Sequence, residues 1–340
     1  MKSNGKAVPV DQARGSRSLV LCLDGSTKVS TTALLRLRPE GAETPSRSDL
    51  WEVLARRTVK DSQEHARILL QLSDEMLKAT GFSPGDLGAL VVGVGPGTFT
   101  GVRVAVALAR ALALALAIPV VGISTLSALA AKVTERLERE RDQASRLGGE
   151  GGRASGPQGY LLQPERLVVA VDARRKQVFH ACYERVNGGR WTRVGEIAVC
   201  DGEALGMAVA APALIAAEDR DLIGKLPEGT VFMSATVAAE HLVLGQERLE
   251  ECGRPVLGPA ANTGGELPWG SRLTPWLVAA LTGGGFANPE PGAAGTPEAV
   301  KPIYVRSPDA DVHITKMRDP WAGDDQARRL GRIGGDGASS

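Results

Sequence analysis

The sequence predicts a two-domain α/β protein, and three observations lead to that prediction. Between Leu19 and Arg139, strand and helix patterns follow one another in the order β-β-β-α-β-α-β-α. After a Gly-rich stretch at 148–157, the same strand-then-helix order begins again at Leu167. The chain has 340 residues, 43% of them hydrophobic, which is enough for two buried cores. We therefore expect a duplicated fold of mixed sheets flanked by helices rather than one large sheet.

Three strands open the first half. Leu19–Asp24 is an apolar run that ends in a polar turn, and Thr31–Leu37 and Leu50–Val59 follow it. A turn-rich segment at 39–48 separates the last two. Since only turn segments connect these strands, we expect them to pair antiparallel.

Helices and strands then alternate. Apolar residues at spacings of three and four predict a helix over Asp61–Lys78, with Gly81 beyond its end. Ser83-Pro84 predicts a short helical turn, and Leu90–Val94 predicts a strand buried on both faces.

A glycine-rich turn introduces the next helix. Gly95–Gly101 reads Gly-Pro-Gly-Thr-Phe-Thr-Gly, and an Ala/Val/Leu-rich helix extends from it to about Ala117. Pro119–Ile123 predicts another buried strand, and a helix that starts at Ser124 or Thr125 follows it. The crossovers predict parallel pairing of these later strands.

The second half repeats this pattern less regularly. A polar turn at 173–176 and Asn187-Gly188-Gly189 separate its first three strands. Residues 246–298 are rich in Gly and Pro. The predicted strands are Leu167–Asp172, Gln177–Arg185, Trp191–Val199 and Thr230–Met233, and the predicted helices are Glu203–Ala217, Ala235–Leu244 and Pro275–Leu281.

Composition argues against several classes of protein. The net charge is +1, so no global field attracts nucleic acid, and we expect RNA to be reached through a partner. The four cysteines form no C-x-x-C pair, which argues against a zinc site and fits a reducing cytoplasm. Residues 1–18 contain no apolar core of signal-peptide length. Val102–Ile118 is apolar but short for a membrane span and carries Arg103 and Arg110, so we expect a buried helix and no membrane association.

Two loops are candidates for binding phosphate. Asp24, Ser26 and Thr27 follow the first strand, where an acidic residue can hold a metal-bound water. Gly95, Gly97 and Thr98 lie at the start of a helix, whose free N–H groups favour anions. The second loop lacks the lysine of a P-loop and the spacing of a dinucleotide fingerprint. A structural role for both loops stays open.

We predict neither a catalytic residue nor a metal ligand. The four histidines show no H-x-x-x-H spacing, and no G-x-S-x-G motif is present.

A helical subunit interface is also predicted. Small residues recur every four positions from Gly101 to Ala117, which permits close approach of another helix or of the sheet. Two leucines of the preceding helix lie off its main apolar stripe, and an uncovered apolar face favours a partner. The predicted interface residues are Leu70, Leu77, Ala105, Ala109 and Ala113. Packing of the small residues within the chain is the alternative.

These motifs resemble the TsaB (YeaZ) family. The segments that carry the resemblance are Leu23-Asp24-Gly25-Ser26-Thr27, Glu64-His65-Ala66-Arg67-Ile68-Leu69, Gly93–Arg103, Pro119–Leu126, Val171–Phe179 and Pro302–Arg306. The glycine loop is the most specific of them. Gly25 stands where the family usually has Thr or Ser, and Ala66 stands where it usually has Ser. Between residues 186 and 295 the resemblance is thin.

The resemblance implies tandem domains of the actin/sugar-kinase/Hsp70 (ribonuclease H-like) type and a non-catalytic role. Such subunits bind a catalytic sibling, TsaD, and work with the ATPase TsaE to transfer a threonylcarbamoyl group to the adenosine next to the tRNA anticodon. Implied partners are therefore these two proteins, a second copy when the chain is alone, and tRNA only through the complex. No cofactor is expected, apart from ATP or ADP at a subunit interface. An ATP-binding enzyme of the same superfamily, a divergent kinase or transferase, is the alternative.

We expect the chain to divide into five segments. Residues 1–17 are predicted to be disordered, 18–125 to form the first domain, and 126–298 the second with its insertions. Residues 299–318 would close the fold, and 319–340 would form a disordered tail.

Overall fold

A computed structural model describes residues 18–38, 50–60, 65–146, 164–186, 189–250, 296–297 and 300–305. The predicted start of the first helix at Asp61, the stretch at 148–157, the helix at 275–281 and both terminal segments lie outside these residues. The domain boundaries stay predictions.

The first sheet has five strands in the order β3-β2-β1-β4-β5. The first three strands pair antiparallel, and β4 and β5 continue the sheet in parallel, as the crossovers predicted. The elements of this half are β1 (Leu19–Asp24), β2 (Val29–Leu37), β3 (Trp51–Lys60), α1 (His65–Thr80), β4 (Leu87–Gly93), α2 (Phe99–Leu116), β5 (Val120–Ile123) and α3 (Thr125–Arg146).

The second sheet has the same topology with one added strand. Its order is β10-β9-β6-β7-β8-β11, so β8-β7-β6-β9-β10 repeats the arrangement of the first sheet. The antiparallel and parallel pairings repeat as well, which confirms the predicted duplicated fold of mixed sheets flanked by helices. Its elements are β6 (Arg166–Arg174), β7 (Gln177–Arg185), β8 (Trp191–Asp201), α4 (Gly202–Ala208), β9 (Ala213–Ala217), β10 (Thr230–Ser234) and β11 (Leu249–Glu250).

Two helix predictions in the second half are wrong. The predicted helix at 203–217 ends at Ala208, and Ala213–Ala217 is instead a strand buried on both faces between β6 and β10. Pro212 cannot continue a helix. The alanines that follow it favoured the helix prediction, but sheet pairing overrides their helix propensity. The predicted helix at 235–244 is only a 3-10 turn at Ala239–Leu242, because Ala235 N continues the sheet pairing to Ala217 O at 2.8 Å.

The buried residues fall into three apolar layers. One face of the first sheet packs on α1 and α2 through residues such as Leu21, Leu23 and Val92. The other face packs on α3, which also contacts the second sheet, so one continuous core joins the two halves. A third layer lies between the far face of the second sheet and α4.

The small residues of α2 pack within the chain, so most of the predicted interface set is not available to a partner. Ala105, Ala109 and Ala113 are buried beside the first sheet and α1, and so is Leu77. The reason is geometric: alanines at every fourth position allow α2 to approach the sheet and its neighbouring helix closely. Only Leu70 of the five predicted residues is exposed, with 48% of its surface accessible.

Candidate functional site

The two candidate phosphate loops lie against each other. Thr98 N donates a hydrogen bond to Ser26 O at 2.6 Å. A Cβ on Gly97 would lie 2.0 Å from Ser26 O, and one on Gly101 would lie 2.0 Å from Gly25 O. The glycines are therefore required by direct backbone contact between the loops. The sequence predicted a glycine-rich turn here, but not that the β1–β2 turn fills the space in front of it.

Asp24 is the buried centre of this junction. Its Oδ1 accepts a hydrogen bond from Ser26 N at 2.9 Å, and its Oδ2 accepts from Ser26 Oγ at 3.1 Å and Thr125 Oγ1 at 3.0 Å. Burial raises the pKa of the Asp24 carboxyl to about 6, although these hydrogen bonds oppose the shift. Thr125 also accepts a hydrogen bond from Gly95 N at 3.2 Å. It therefore joins β1, the glycine loop and α3, a role that its place at the start of a helix did not reveal.

The six candidate phosphate-binding residues are brought together, but their polar groups mostly bond to one another. Thr27 is buried, and its hydroxyl accepts from Val29 N at 3.1 Å. Gly95 has φ 89° and bonds to Thr125 through both its N–H and its carbonyl. The Thr98 hydroxyl has no partner among the described residues. With Asp24 and Ser26 fully buried, the junction disfavours a phosphate or metal-water site and favours the structural role.

The equivalent turn of the second half is different, because it is exposed. Asp172 lies near the end of β6 as Asp24 does at the end of β1, but Asp172 forms ion pairs with Lys28 at 3.6 Å and Arg174 at 3.7 Å. The β6–β7 hairpin thus lies beside the β1–β2 turn. The polar turn predicted at 173–176 is therefore an exposed hairpin tip that carries Arg174, Arg175 and Lys176.

The outer face of α2 is an exposed apolar surface. Ala107, Ala111 and Ala115 are exposed, Leu114 has 65% of its surface accessible, and Val104 and Leu108 are half-buried. We call these six residues the α2 outer face. A contiguous apolar helix face is normally covered, so this face is a candidate interaction surface.

An aromatic and arginine cluster lies at the N-terminal end of this face. The Arg103 guanidinium stacks over the Phe99 ring at 3.5 Å, and its Nε donates to the Tyr304 hydroxyl at 2.8 Å. Tyr304 belongs to the closing segment, in which Ile303 N donates to Val94 O at 2.7 Å and Val300 is buried. These contacts join Tyr304 of the closing segment to Phe99 and Arg103 at the start of α2.

By length and composition α2 could also cross a membrane, and about a third of it is buried in the fold. The prediction of a buried helix is thus only partly correct, because one face of α2 is buried and the other is exposed.

Within the described residues, no group of three or more His, Cys, Asp or Glu side chains is arranged to hold a metal ion. His241 instead bonds to Glu135 through Nε2 at 2.6 Å. This bond is the main reason why the pKa of Glu135 is lowered to about 2.

Comparison with known proteins gives one match to a family model. Residues 53–143, from β3 into α3, match TsaD, described as tRNA N6-adenosine threonylcarbamoyltransferase. No curated protein matches the sequence.

Solved structures that are similar to the chain include two from Pseudomonas aeruginosa and one from Thermus thermophilus. A Pseudomonas aeruginosa protein described as uncharacterised, with similarity to peptidase YEAZ, is 24% identical, with 85% of this chain and all of that one covered at a TM-score of 0.49. YeaZ from Pseudomonas aeruginosa is 26% identical, covering 66% of this chain and 89% of its own at a TM-score of 0.45. RuvC from Thermus thermophilus is 15% identical, covering 32% and 66% at a TM-score of 0.24.

Proposed function

We propose that this chain is a TsaB-type, non-catalytic scaffold subunit of the complex that transfers a threonylcarbamoyl group to N6 of the adenosine next to the anticodon in tRNAs reading ANN codons. The threonylcarbamoyltransferase match of residues 53–143 supports a role in this tRNA modification. It spans β3 to α3, the part of the fold that contains both α1 and α2.

The exposed α2 outer face is the observation that carries the scaffold role. Its six residues are all apolar, and α2 contains no acidic residue. Burying such a face would contribute roughly 25 cal/mol per Å² of apolar surface, which favours a stable subunit contact. Leu70 of α1 extends the apolar character onto the neighbouring helix, since α1 and α2 pack together.

The partner proposed for this face is a TsaD-like catalytic subunit, with a second copy of this chain as the partner when the sibling is absent. A TsaE-like ATPase would join the same assembly. We place the complex in the cytoplasm, with tRNA bound by the assembly rather than by this chain's overall charge, which is only +1.

The alternative function, an ATP-binding kinase or transferase, needs an accessible acidic metal anchor. Asp24 is fully buried and bonded to Ser26 and Thr125, which disfavours that role. Calorimetric titration of the isolated chain with Mg-ATP distinguishes the two functions. Binding followed by turnover that Asp24→Ala abolishes would support the enzyme.

The scaffold proposal is tested by introducing charge into the α2 outer face and at the neighbouring Leu70 of α1. The double variant Leu70→Glu/Leu114→Glu should remain folded, because both side chains are exposed, but should no longer dimerise or co-purify with the sibling from the native cell. Met207→Glu is the matched control, since Met207 on α4 is 72% accessible on a different layer. Sedimentation velocity and affinity purification give the readouts. A folded double variant that still captures the sibling would exclude this surface.

A further inference from the structure

The β6–β7 hairpin carries three successive cationic residues in an unusual backbone conformation. Arg174, Arg175 and Lys176 have φ values of 67°, 55° and 63°, and all three are exposed. Residues other than glycine enter this left-handed region rarely and usually singly. Backbone strain of this kind is concentrated at functional positions.

Both ends of the hairpin tip are anchored. Arg174 N donates to Asp172 Oδ1 at 2.7 Å, and Lys176 O accepts from Gly202 N at 2.9 Å. The tip is therefore a fixed turn, and the cations it carries lose little backbone freedom when they bind a ligand.

Positive charge exceeds negative charge at this tip. Lys28 of the neighbouring β1–β2 turn adds a fourth cation, and Asp172 lies between Lys28 and Arg174. Asp201, opposite Gln177 in the sheet register, and Glu203, next to Gly202, are further carboxylates near the turn. The local excess of cations contrasts with the whole chain, in which acidic and basic residues nearly balance.

We propose that this hairpin, with Lys28, contacts the phosphate backbone of RNA directly. A left-handed turn rotates the chain by about 100° per residue, so three successive side chains point in different directions. Cations spread over a projecting tip suit an extended polyanion, whereas a small phosphate ligand needs a concave pocket. The identity of the RNA as tRNA rests on the proposed function, but the charge and geometry of the hairpin do not.

The test measures binding of a fluorescently labelled tRNA transcript to the full-length chain by anisotropy, at salt concentrations from about 50 to 200 mM. The variant Arg175→Glu/Lys176→Glu should lose at least about tenfold in affinity, and the slope of log K against log salt should fall by about 2. The matched control is Arg141→Glu/Arg166→Glu, which makes the same charge change away from the hairpin tip and should bind nearly as the parent does. Circular dichroism verifies that each variant is folded.

Three results would overturn the proposal. The first is that the parent binds no RNA at the lowest salt concentration. The second is that the parent and the hairpin variant have equal affinity and equal salt dependence. The third is that the control variant loses as much affinity as the hairpin variant. Displacement of the tRNA by millimolar ATP would instead assign the hairpin to a nucleotide phosphate. Capture of the sibling by the same variants is measured separately. The hairpin variant should retain it, so failure of the RNA contact is distinguishable from failure of the scaffold function.

Discussion

Gly93 and the carboxylate of Asp24 share one space where the first sheet ends. A Cβ on Gly93 would lie 1.7 Å from Asp24 Oδ2. β4 runs parallel to β1 and next to it, so the residue at the end of β4 decides whether the Asp24 side chain can fold inward. A glycine at 93 therefore permits the buried junction of Asp24, Ser26 and Thr125.

The buried Asp24 carboxyl should make stability depend on pH. Its folded-state pKa of about 6 lies above the ordinary value of 3.8, so the folded protein holds a proton that the unfolded chain releases. The stabilisation is fully present below about pH 4 and is lost as the pH rises through about 6. Asp24→Asn should flatten this dependence and raise the free energy of unfolding at pH 7.5, by at most about 3 kcal/mol. Urea unfolding between pH 5 and 7.5 measures both effects, and Glu75→Gln on the exposed face of α1 serves as control. Parallel pH curves for parent and Asp24→Asn would contradict the expectation.

The contact between Gly97 and Ser26 predicts a steric cost. Gly97→Ala places a Cβ 2.0 Å from Ser26 O, so the loops must separate, and we expect stability to fall by about a few kcal/mol. In Gly85→Ala the nearest atom to the new Cβ is Ser83 Oγ at 3.7 Å, so that control should change stability by less than about 0.5 kcal/mol. Equal denaturant midpoints for the two variants would show that the loop can yield.

Replacing two alanines of α2 by leucine should affect stability differently. Ala109 is fully buried, so Ala109→Leu should overpack the core and cost about 1–3 kcal/mol. Ala111 is exposed on the same helix, so Ala111→Leu should be nearly neutral. Thermal unfolding of both variants compares them directly. A neutral Ala109→Leu would mean that the helix does not approach its neighbours as closely as the structure shows.

The bond between His241 and Glu135 should stabilise the fold near neutral pH. The pKa of Glu135 is lowered to about 2 from an ordinary 4.5, so its contribution is present above pH 4.5 and is lost as the pH falls toward 2. Because Glu135 is partly solvated, we expect Glu135→Gln to cost only about 1–2 kcal/mol at pH 7. Glu140→Gln, which disrupts only an exposed pair with Arg136, should cost less than 1 kcal/mol by the order of magnitude of surface pairs. Equal losses in urea unfolding at pH 7 would contradict a special role for the His241 bond.

The sequence by itself determined the order of elements in the first half. Apolar runs between turn residues located β1 to β5, and the glycine loop marked the start of α2. These signals are local, because periodicity and turn chemistry depend on neighbouring residues. The local signals predicted a helix that included Ala213–Ala217, and this prediction is wrong. This alanine-rich run is a strand because β6 and β10 pair with it on either side.

Only the tertiary structure decided which faces are covered. The spacing of Ala105, Ala109 and Ala113 was visible in the sequence, but whether it packs inward or meets a partner depends on where the sheet and α1 lie. The candidate phosphate loops were likewise recognisable one at a time. Their mutual contact, which buries Asp24 against Thr125 about a hundred residues away, follows from β1, β4 and α3 meeting at one edge. Contacts between distant segments are set by topology and packing, and no local pattern encodes them.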